Sequence, residues 1–152
     1  MTKHYVRFAL MMLTSLLLMF VLSMSMIRTW DHFYVNLSNF WMALVMVSAM
    51  GLVMVGFMWG MLPSRRVNVG LLVGFVVLLL GSFALGRTET AVGNEQFLKS
   101  MIPHHSRAVL VCQEANITDP QIQQLCDEIV KSQLREIVEM KQMLARDYGG
   151  RW

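Results

Sequence analysis

Residues 67–85 read VNVGLLVGFVVLLLGSFAL, an uncharged and almost entirely apolar run. An α-helix needs about 20 such residues to cross the roughly 30 Å hydrocarbon core of a bilayer. Two runs of similar length and character precede this one, at residues 8–27 and 40–62. The sequence therefore predicts three transmembrane helices.

Charged side chains are concentrated outside these runs. In the whole chain 55% of residues are hydrophobic and 15% are charged. Residues 87–152 hold eight Lys or Arg and nine Asp or Glu, whereas the stretch from residue 8 to residue 85 holds only Arg28, Asp31, Arg65 and Arg66. We therefore expect a membrane domain over residues 1–86 and a soluble domain over residues 87–152.

The positive charges that flank the apolar runs predict the orientation of the helices, because Lys and Arg are retained on the cytoplasmic side. Lys3 and Arg7 precede the first run, and Arg65 and Arg66 lie between the second and third, whereas residues 29–39 contain neither Lys nor Arg. The N-terminus is then cytoplasmic, and the C-terminal domain is periplasmic if the membrane is a bacterial inner membrane. The first run is longer than the core of a secretory signal, so we interpret it as a retained helix.

The segment between the first two runs is short and aromatic. Its rings are expected at the outer interface between membrane and water, where amphipathic aromatics settle: Trp30, Tyr34, Phe40 and Trp41. His32 in this segment is expected to be an interfacial bystander, as is His4.

Methionines recur at every fourth position of the second run, at Met42, Met46, Met50, Met54 and Met58. On a helix of about 3.6 residues per turn this spacing forms a slanting ridge rather than one face. We favour packing against a neighbouring helix as the role of this ridge, and passage of a metal ion is the alternative.

Glycine pairs predict close contacts between the helices, at Gly56 and Gly60 and again at Gly70 and Gly74. The three runs contain no His, Asp, Glu or Lys. The sequence therefore offers no candidates for a proton relay or for haem ligands inside the bilayer.

The C-terminal domain has the pattern of two helices. Apolar residues recur at helical spacing from residue 97 to about 115, and residues 116–120 interrupt the pattern. Asp119 as N-cap and Pro120 as first helical residue mark the start of the second helix, which runs to about residue 146 before Gly149-Gly150. So short a link predicts an antiparallel hairpin, and the whole chain is expected to be all-α.

The first helix of this hairpin contains Met101-Ile102-Pro103-His104-His105, in which one thioether and two imidazoles suggest copper. Projection at about 100° per residue directs His105 into the core and turns His104 toward its edge, so the two imidazoles do not easily hold the same ion. Pro103 either kinks the helix or marks a late helix start. The core stripe is expected to contain Phe97, Met101, His105, Ala108 and Cys112, with Ser106 on the opposite side.

A turn near Ile117 sets the expected register of the two helices. It places Met140 near Glu95, more than one helical turn beyond Met101. In this register a single hairpin does not close a site made of Met101, His105 and Met140.

Cys112 and Cys126 both face the expected core of the hairpin. The register offsets them by about three residues, which makes a disulfide geometrically marginal. A disulfide in an oxidising compartment and free or metal-binding thiols both remain as interpretations.

The two helices share a set of residues with a known family. These residues are Phe97, Met101-Ile102-Pro103-His104-His105, Ala108, Asp119-Pro120, Gln133, Glu136-Ile137, Met140 and Leu144. The set resembles the ferritin-like helical family catalogued as domain of unknown function 305. Larger members contain two such hairpins, so the resemblance implies half of a ferritin-like four-helix bundle. Some members are periplasmic copper-binding proteins tied to copper or silver tolerance, and others carry three membrane helices before this domain.

The resemblance also implies a set of metal ligands. A methionine usual a few residues after the histidine pair is replaced here by Val111, and the adjacent Cys112 either takes its place as a soft ligand or leaves the site weakened. The implied cofactor is a copper ion, with Cu(I) favoured and Ag(I) as the alternative. The candidate ligands are Met101, His104, His105 and Met140, with Met143 as a nearby addition.

Two functions are consistent with these features. The first is a membrane-anchored periplasmic copper or silver binder that sequesters the ion, or passes it to a metal exporter or chaperone. The alternative is a non-metal structural or interaction protein whose hairpin docks a partner. A lone hairpin buries little apolar surface, so we expect a homodimer or higher oligomer to form through it.

Enzyme activity is not expected from this sequence. No Glu stands three residues before a His, as di-iron carboxylate sites of ferritin-like bundles require, and no haem-attachment, nucleophile or phosphate-loop motif occurs. The near-neutral C-terminal domain argues against nucleic acid as a partner, because the net charge of +3 comes from the residues that flank the membrane runs.

Overall fold

The computed structural model describes residues 2–149 of the protein. These residues form helices and connecting segments and contain no β-strand, so the prediction of an all-α protein is confirmed for the described part of the chain. A short 3-10 helix, Trp30–His32, lies between the first two α-helices. The α-helices are α1 (Thr2–Ser23), α2 (Leu37–Phe57), α3 (Arg65–Arg87), α4 (Asn94–Glu114) and α5 (Pro120–Tyr148).

Three of these helices, α1 to α3, are each long and apolar enough to cross a membrane. Their bounds differ from the predicted runs, because α1 ends at Ser23 instead of residue 27 and α2 ends at Phe57 instead of residue 62. Residues 58–62 form turns that lead into Pro63, whose ring disfavours helical geometry in the residue before it. Apolar character therefore overestimates where α1 and α2 end. It underestimates the starts of all three helices and the end of α3, which is Arg65–Arg87 instead of residues 67–85.

The chain divides into two compact units. Of the described residues, the first unit comprises residues 2–23 together with Ser38–Ala91, and the second comprises Met24–Leu37 together with residues 92–149. The predicted division after residue 86 placed residues 24–37 in the membrane domain, whereas in the structure they cluster with α4 and α5. These residues belong to the unit of α4 and α5, and we call them the covering segment.

The first unit is held together by side chains from all three of its helices. Its buried cluster contains Phe8, Met12, Val47, Val55 and Leu62, and the ring of Phe75 meets that of Phe8 edge-on at 6.1 Å between centroids. Near the start of α3 the phenol of Tyr5 donates to the Asn68 side-chain oxygen at 3.0 Å and accepts from the Ser64 backbone N–H at 3.0 Å. These polar contacts attach the start of α1 to the start of α3.

The close approaches of helices occur at glycines other than the predicted ones. A Cβ atom at Gly51 would lie 2.5 Å from the Phe75 ring, and one at Gly86 would lie 3.1 Å from the Trp41 side chain. The predicted contacts at Gly56, Gly60, Gly70 and Gly74 are wrong, since a Cβ at any of these positions would meet nothing within 4 Å.

The methionine ridge of α2 is partly explained by packing. Met50, Met54 and Met58 are half-buried against the cluster of the first unit, whereas Met42 remains exposed. Packing therefore accounts for the middle of the ridge.

The second unit is built on α4 and α5, which pack against each other. The carboxylate of Asp119 caps α5 by accepting from the backbone N–H groups of Gln121 and Ile122, and Gly149 ends the helix with φ 60°, as predicted. Gly150, also predicted at this end, lies outside the described residues. α4 is continuous from Asn94 through Pro103. The alternative in which Pro103 marks the start of the helix is therefore wrong.

The core between α4 and α5 is formed by Leu98 and Ile102 of α4 with Ile137, Met140 and Leu144 of α5. The predicted core stripe of α4 is therefore displaced, and Phe97, which was placed on it, is 52% exposed. A disulfide joins Cys112 to Cys126 with 5.3 Å between their Cα atoms. Closing a loop of about 15 residues in this way stabilises the folded state by roughly 3 kcal/mol.

Replacement of Gly51 by Leu tests the packing of the first unit. Gly51→Leu must displace the Phe75 ring and is expected to destabilise the unit by about 1–3 kcal/mol, measured by thermal unfolding in detergent. Gly56→Leu on the same helix is the matched control, because it makes the same chemical change in open space. Equal losses in the two variants would contradict the observed packing.

Candidate functional site

Two contacts define the register of α4 against α5. Cys112 is bonded to Cys126, and two turns closer to the start of α4 the Nε2 atom of His105 lies 2.8 Å from a carboxylate oxygen of Glu136. One further turn along each helix brings Met101 and Met140 to equivalent positions. The expected register, with Met140 near Glu95, is therefore wrong.

Met101 and Met140 share one apolar cluster beside His105. Met140 is buried within this cluster, and Met101 packs against it in a half-buried position. The single pair α4–α5 thus brings two thioethers and one imidazole to the same part of the helix interface, which the predicted register had excluded.

Both ring nitrogens of His105 have partners. The side chain is 8% exposed, its Nδ1 lies 2.8 Å from the Met101 carbonyl oxygen, and its Nε2 faces Glu136. A carbonyl only accepts, so Nδ1 donates to it. A proton then lies between Nε2 and the Glu136 carboxylate, carried by one or the other.

His104 has a different environment from its neighbour. Its side chain is exposed, and its ring lies 6.0 Å from the His105 ring between centroids, at an interplanar angle of 72°. The structure therefore places His104 at the surface and His105 in the interior, in the arrangement predicted from the helical projection.

Two of the predicted ligands are not brought to His105. Cys112 is in a disulfide and has no thiolate to offer, so its predicted role as a soft ligand is wrong for this state of the protein. Met143 is 42% exposed and lines a surface depression with Phe97 and Tyr148, about 10 Å along α5 from Glu136. Among the described residues no three His, Cys, Asp or Glu side chains form a metal-binding group, so a site here depends on thioethers.

The face of α4 opposite the α5 interface is also buried. Ser106, predicted to point away from the core, is 0% exposed because the covering segment lies over it. The Ser106 hydroxyl accepts from the Arg28 backbone N–H at 2.8 Å and lies 2.8 Å from the Nδ1 atom of His32. A hydroxyl oxygen can accept two hydrogen bonds, so the tautomer of the His32 ring decides which of the two side chains donates.

His32 is a buried structural residue and not the interfacial bystander that was predicted. It is 6% exposed, and its Nδ1 lies within 3.2 Å of the Thr29 hydroxyl as well as near that of Ser106. Burial lowers the pKa of His32 below 6.5, and the neighbouring Asp31 carboxylate opposes this only in part. The network therefore favours a neutral ring.

Further polar contacts hold the covering segment to both helices. Asp31 forms an ion pair with Lys141 of α5, and the hydrogen bond from Lys141 is the main cause that lowers the pKa of Asp31 to about 2. The backbone N–H of Leu37 donates to the Gln96 side chain at 2.9 Å, and Arg28 Nε donates to the Gln113 side chain at 3.1 Å. One feature of the sequence marks the covering segment as unusual, since Asp31 is the only acidic residue before Glu89.

Comparison with known proteins gives two matches. The family model described as domain of unknown function (DUF305) matches residues 83–144. An uncharacterized protein of Acanthamoeba polyphaga mimivirus is 32% identical over 111 residues, which is 72% of this chain and 71% of the viral protein. The chain belongs to the DUF305 family. No solved structure matches.

The DUF305 match covers the end of α3, all of α4 and α5 as far as Leu144. It therefore contains Met101, His105, Glu136 and Met140, and the predicted membership of the family is confirmed. The covering segment lies outside the matched residues. The contacts of His32 and Asp31 with α4 and α5 are thus made by a part of the chain that the family model does not describe.

Acidification is expected to loosen the covering segment. Since the pKa of His32 is lowered in the folded state, the attached segment has its full stability above pH 6.5 and loses it as the pH falls below that value. Hydrogen exchange of residues 24–37, corrected for the intrinsic rate, should increase several-fold between pH 7.5 and 5.5.

His32→Gln keeps a polar group at this position and should remove most of that pH dependence. Asp31→Asn is the matched control, because the pKa of Asp31 is about 2 and its carboxylate stays ionised over the whole range. This variant should raise exchange at both pH values and keep the increase toward pH 5.5, because His32 is still present. An unchanged pH dependence in His32→Gln would contradict the assignment to His32.

Proposed function

We propose that the protein is a membrane-anchored binder of Cu(I) or Ag(I) whose site lies between α4 and α5. The observation that carries the proposal is that the buried His105 imidazole lies on the stretch of the α4–α5 interface where the side chains of Met101 and Met140 pack in one apolar cluster. Thioether and imidazole ligands suit Cu(I) and disfavour zinc.

The hydrogen bonds of His105 suit a metal ligand. Its Nδ1 donates to the Met101 carbonyl, which fixes the orientation of the ring and directs Nε2 as the coordinating atom. Nε2 now shares a proton with the Glu136 carboxylate. A cation that takes the place of this proton is attracted by the same carboxylate, so binding releases a proton and weakens at low pH.

His104 is the natural first contact for an ion that arrives from solvent. It is exposed at the surface, and its ring lies 6.0 Å from that of His105. A step between adjacent imidazoles would carry the ion from the surface to the buried thioethers. In this proposal His104 and His105 have separate roles, and Met143 stays an accessory ligand at the surface.

The proposed setting is a bacterial inner membrane with α4 and α5 in the periplasm. Three helices that are long and apolar enough to cross a membrane support the anchoring, and the two arginines at the start of α3 support a cytoplasmic position for the turn before it. The disulfide suits an oxidising compartment. Sequestration for metal tolerance, or transfer to an exporter or chaperone, is the corresponding role.

A homodimer or higher oligomer is part of the proposal. The pair α4–α5 leaves large apolar side chains exposed, and a second copy packed as the other half of a four-helix bundle would cover them. These side chains are Phe97, Val111, Ile122 and Leu125.

The alternative function is a structural or interaction protein in which α4 and α5 dock a partner. One observation favours it, since both nitrogens of His105 are already satisfied by groups of the protein. In that case His105 and Glu136 form a structural pair, and no metal is needed.

A Cu(I) titration against a competing chromophoric chelator separates the two functions. Replacing Met101 and Met140 together by Leu keeps the apolar volume but removes both sulfur atoms, and should weaken Cu(I) affinity by about 10–100-fold or more. His104→Ala combined with His105→Ala should abolish tight uptake. Met26→Leu is the matched control and should change the affinity little, because Met26 is exposed and lies outside α4 and α5.

The metal proposal is wrong if the Met101→Leu, Met140→Leu protein and the double histidine variant both bind Cu(I) as the unmodified protein does. It is also wrong if the unmodified protein binds no Cu(I) or Ag(I). Circular dichroism of each variant shows whether α4 and α5 remain folded, so that lost affinity is not confused with unfolding.

A further inference from the structure

The first unit carries a groove of about 360 Å³ between the start of α2 and the end of α3. Its floor is apolar, and two charged residues of opposite sign lie at one end. The proposed metal site does not use this groove. The residues that matter to its chemistry are Trp41, Met42, Val45, Phe83, Arg87 and Glu89.

The groove lies where two apolar helices meet their polar ends. α2 begins at Leu37 and α3 ends at Arg87, so the apolar lining belongs to the hydrocarbon depth of the helices and the charges to the level of lipid headgroups. The Trp41 indole N–H donates to the Thr90 carbonyl oxygen at 3.2 Å, which suits a tryptophan at a membrane interface. In a bilayer, an apolar groove at this depth faces the acyl chains of the lipids.

The charges at the end of the groove are opposite in sign but are not paired with each other. Every ion pair found among residues 2–149 involves other side chains. The Glu89 carboxylate instead accepts from the Ser38 hydroxyl at 2.7 Å. Arg87 and Glu89 therefore present a separate positive and negative group to whatever occupies the groove.

The backbone after α3 holds Glu89 in an uncommon conformation. Its φ is 47°, in the left-handed region that non-glycine residues seldom adopt. The turn is closed by hydrogen bonds from Glu89 N–H to the Gly86 carbonyl and from Thr90 N–H to the Leu85 carbonyl. Residues held in such a conformation are found preferentially at ligand sites, and here the conformation brings the carboxylate to the groove.

We propose that the groove binds one molecule of phosphatidylethanolamine. One of its two acyl chains lies along Met42, Val45 and Phe83. Its phosphate pairs with Arg87, and its ammonium group donates hydrogen bonds to Glu89. Phosphatidylcholine has a quaternary ammonium that donates no hydrogen bond, and phosphatidylglycerol has no cation for Glu89. Arg87 and Glu89, which carry opposite charges, therefore select a zwitterion with a primary amine. The proposal rests on the membrane insertion proposed above.

Native mass spectrometry of the full chain in detergent tests the proposal. Phosphatidylethanolamine, phosphatidylcholine and phosphatidylglycerol with identical acyl chains are titrated separately. One molecule of phosphatidylethanolamine should be retained at concentrations about tenfold below those required for the other two lipids. Glu89→Gln should abolish this preference, because Glu89 is the group that distinguishes the headgroups. Arg87→Gln should instead weaken retention of all three lipids, because each of them carries the phosphate.

Two further variants separate the site from general lipid adhesion. Met42→Trp fills the groove with a larger side chain and should reduce retention of phosphatidylethanolamine, while Arg66→Gln at the other end of α3 is the matched charge control and should not. Equal retention of the three lipids, an unaltered preference in Glu89→Gln, unaltered retention in Arg87→Gln, or equal loss in Arg66→Gln would overturn the proposal. Resistance to alkaline extraction from membranes measures insertion separately.

Discussion

The register of α4 against α5 is the constraint on which the candidate site depends. The bond between Cys112 and Cys126 and the contact between His105 and Glu136 both require it. Given this register, Met101 and Met140 fall at equivalent positions and share a cluster with Ile102 and Leu144. A shift of one helical turn would separate the two thioethers and leave the buried imidazole without its carboxylate partner.

Local signals in the sequence were sufficient for the elements but not for this register. Asp119, Pro120 and Gly149 marked the ends of α5 correctly, because caps act within one turn of a helix. Register depends on which side chains meet across the interface, and a periodic apolar pattern permits neighbouring registers. Ser106 was misplaced because periodicity assigns one buried face to α4, whereas the covering segment, distant in sequence, buries a second.

The two buried faces of α4 give its adjacent polar residues different chemistry. His105 faces α5, with a carboxylate at one nitrogen and a carbonyl at the other, so a proton is held between the ring and the carboxylate. Ser106 faces His32, whose Nδ1 lies within hydrogen-bond distance of two hydroxyl groups and whose burial favours the neutral ring. The covering segment therefore contacts α4 on a different face from the one that contacts α5.

X-ray absorption spectroscopy of the Cu(I)-loaded protein tests whether Met101 and Met140 bind the metal, because it distinguishes sulfur from nitrogen or oxygen around the metal. We expect sulfur scattering from Met101 and Met140 together with nitrogen from His105, and loss of the sulfur signal when both methionines are replaced by Leu. A first shell of nitrogen and oxygen alone, or a sulfur signal that survives this replacement, would contradict this expectation.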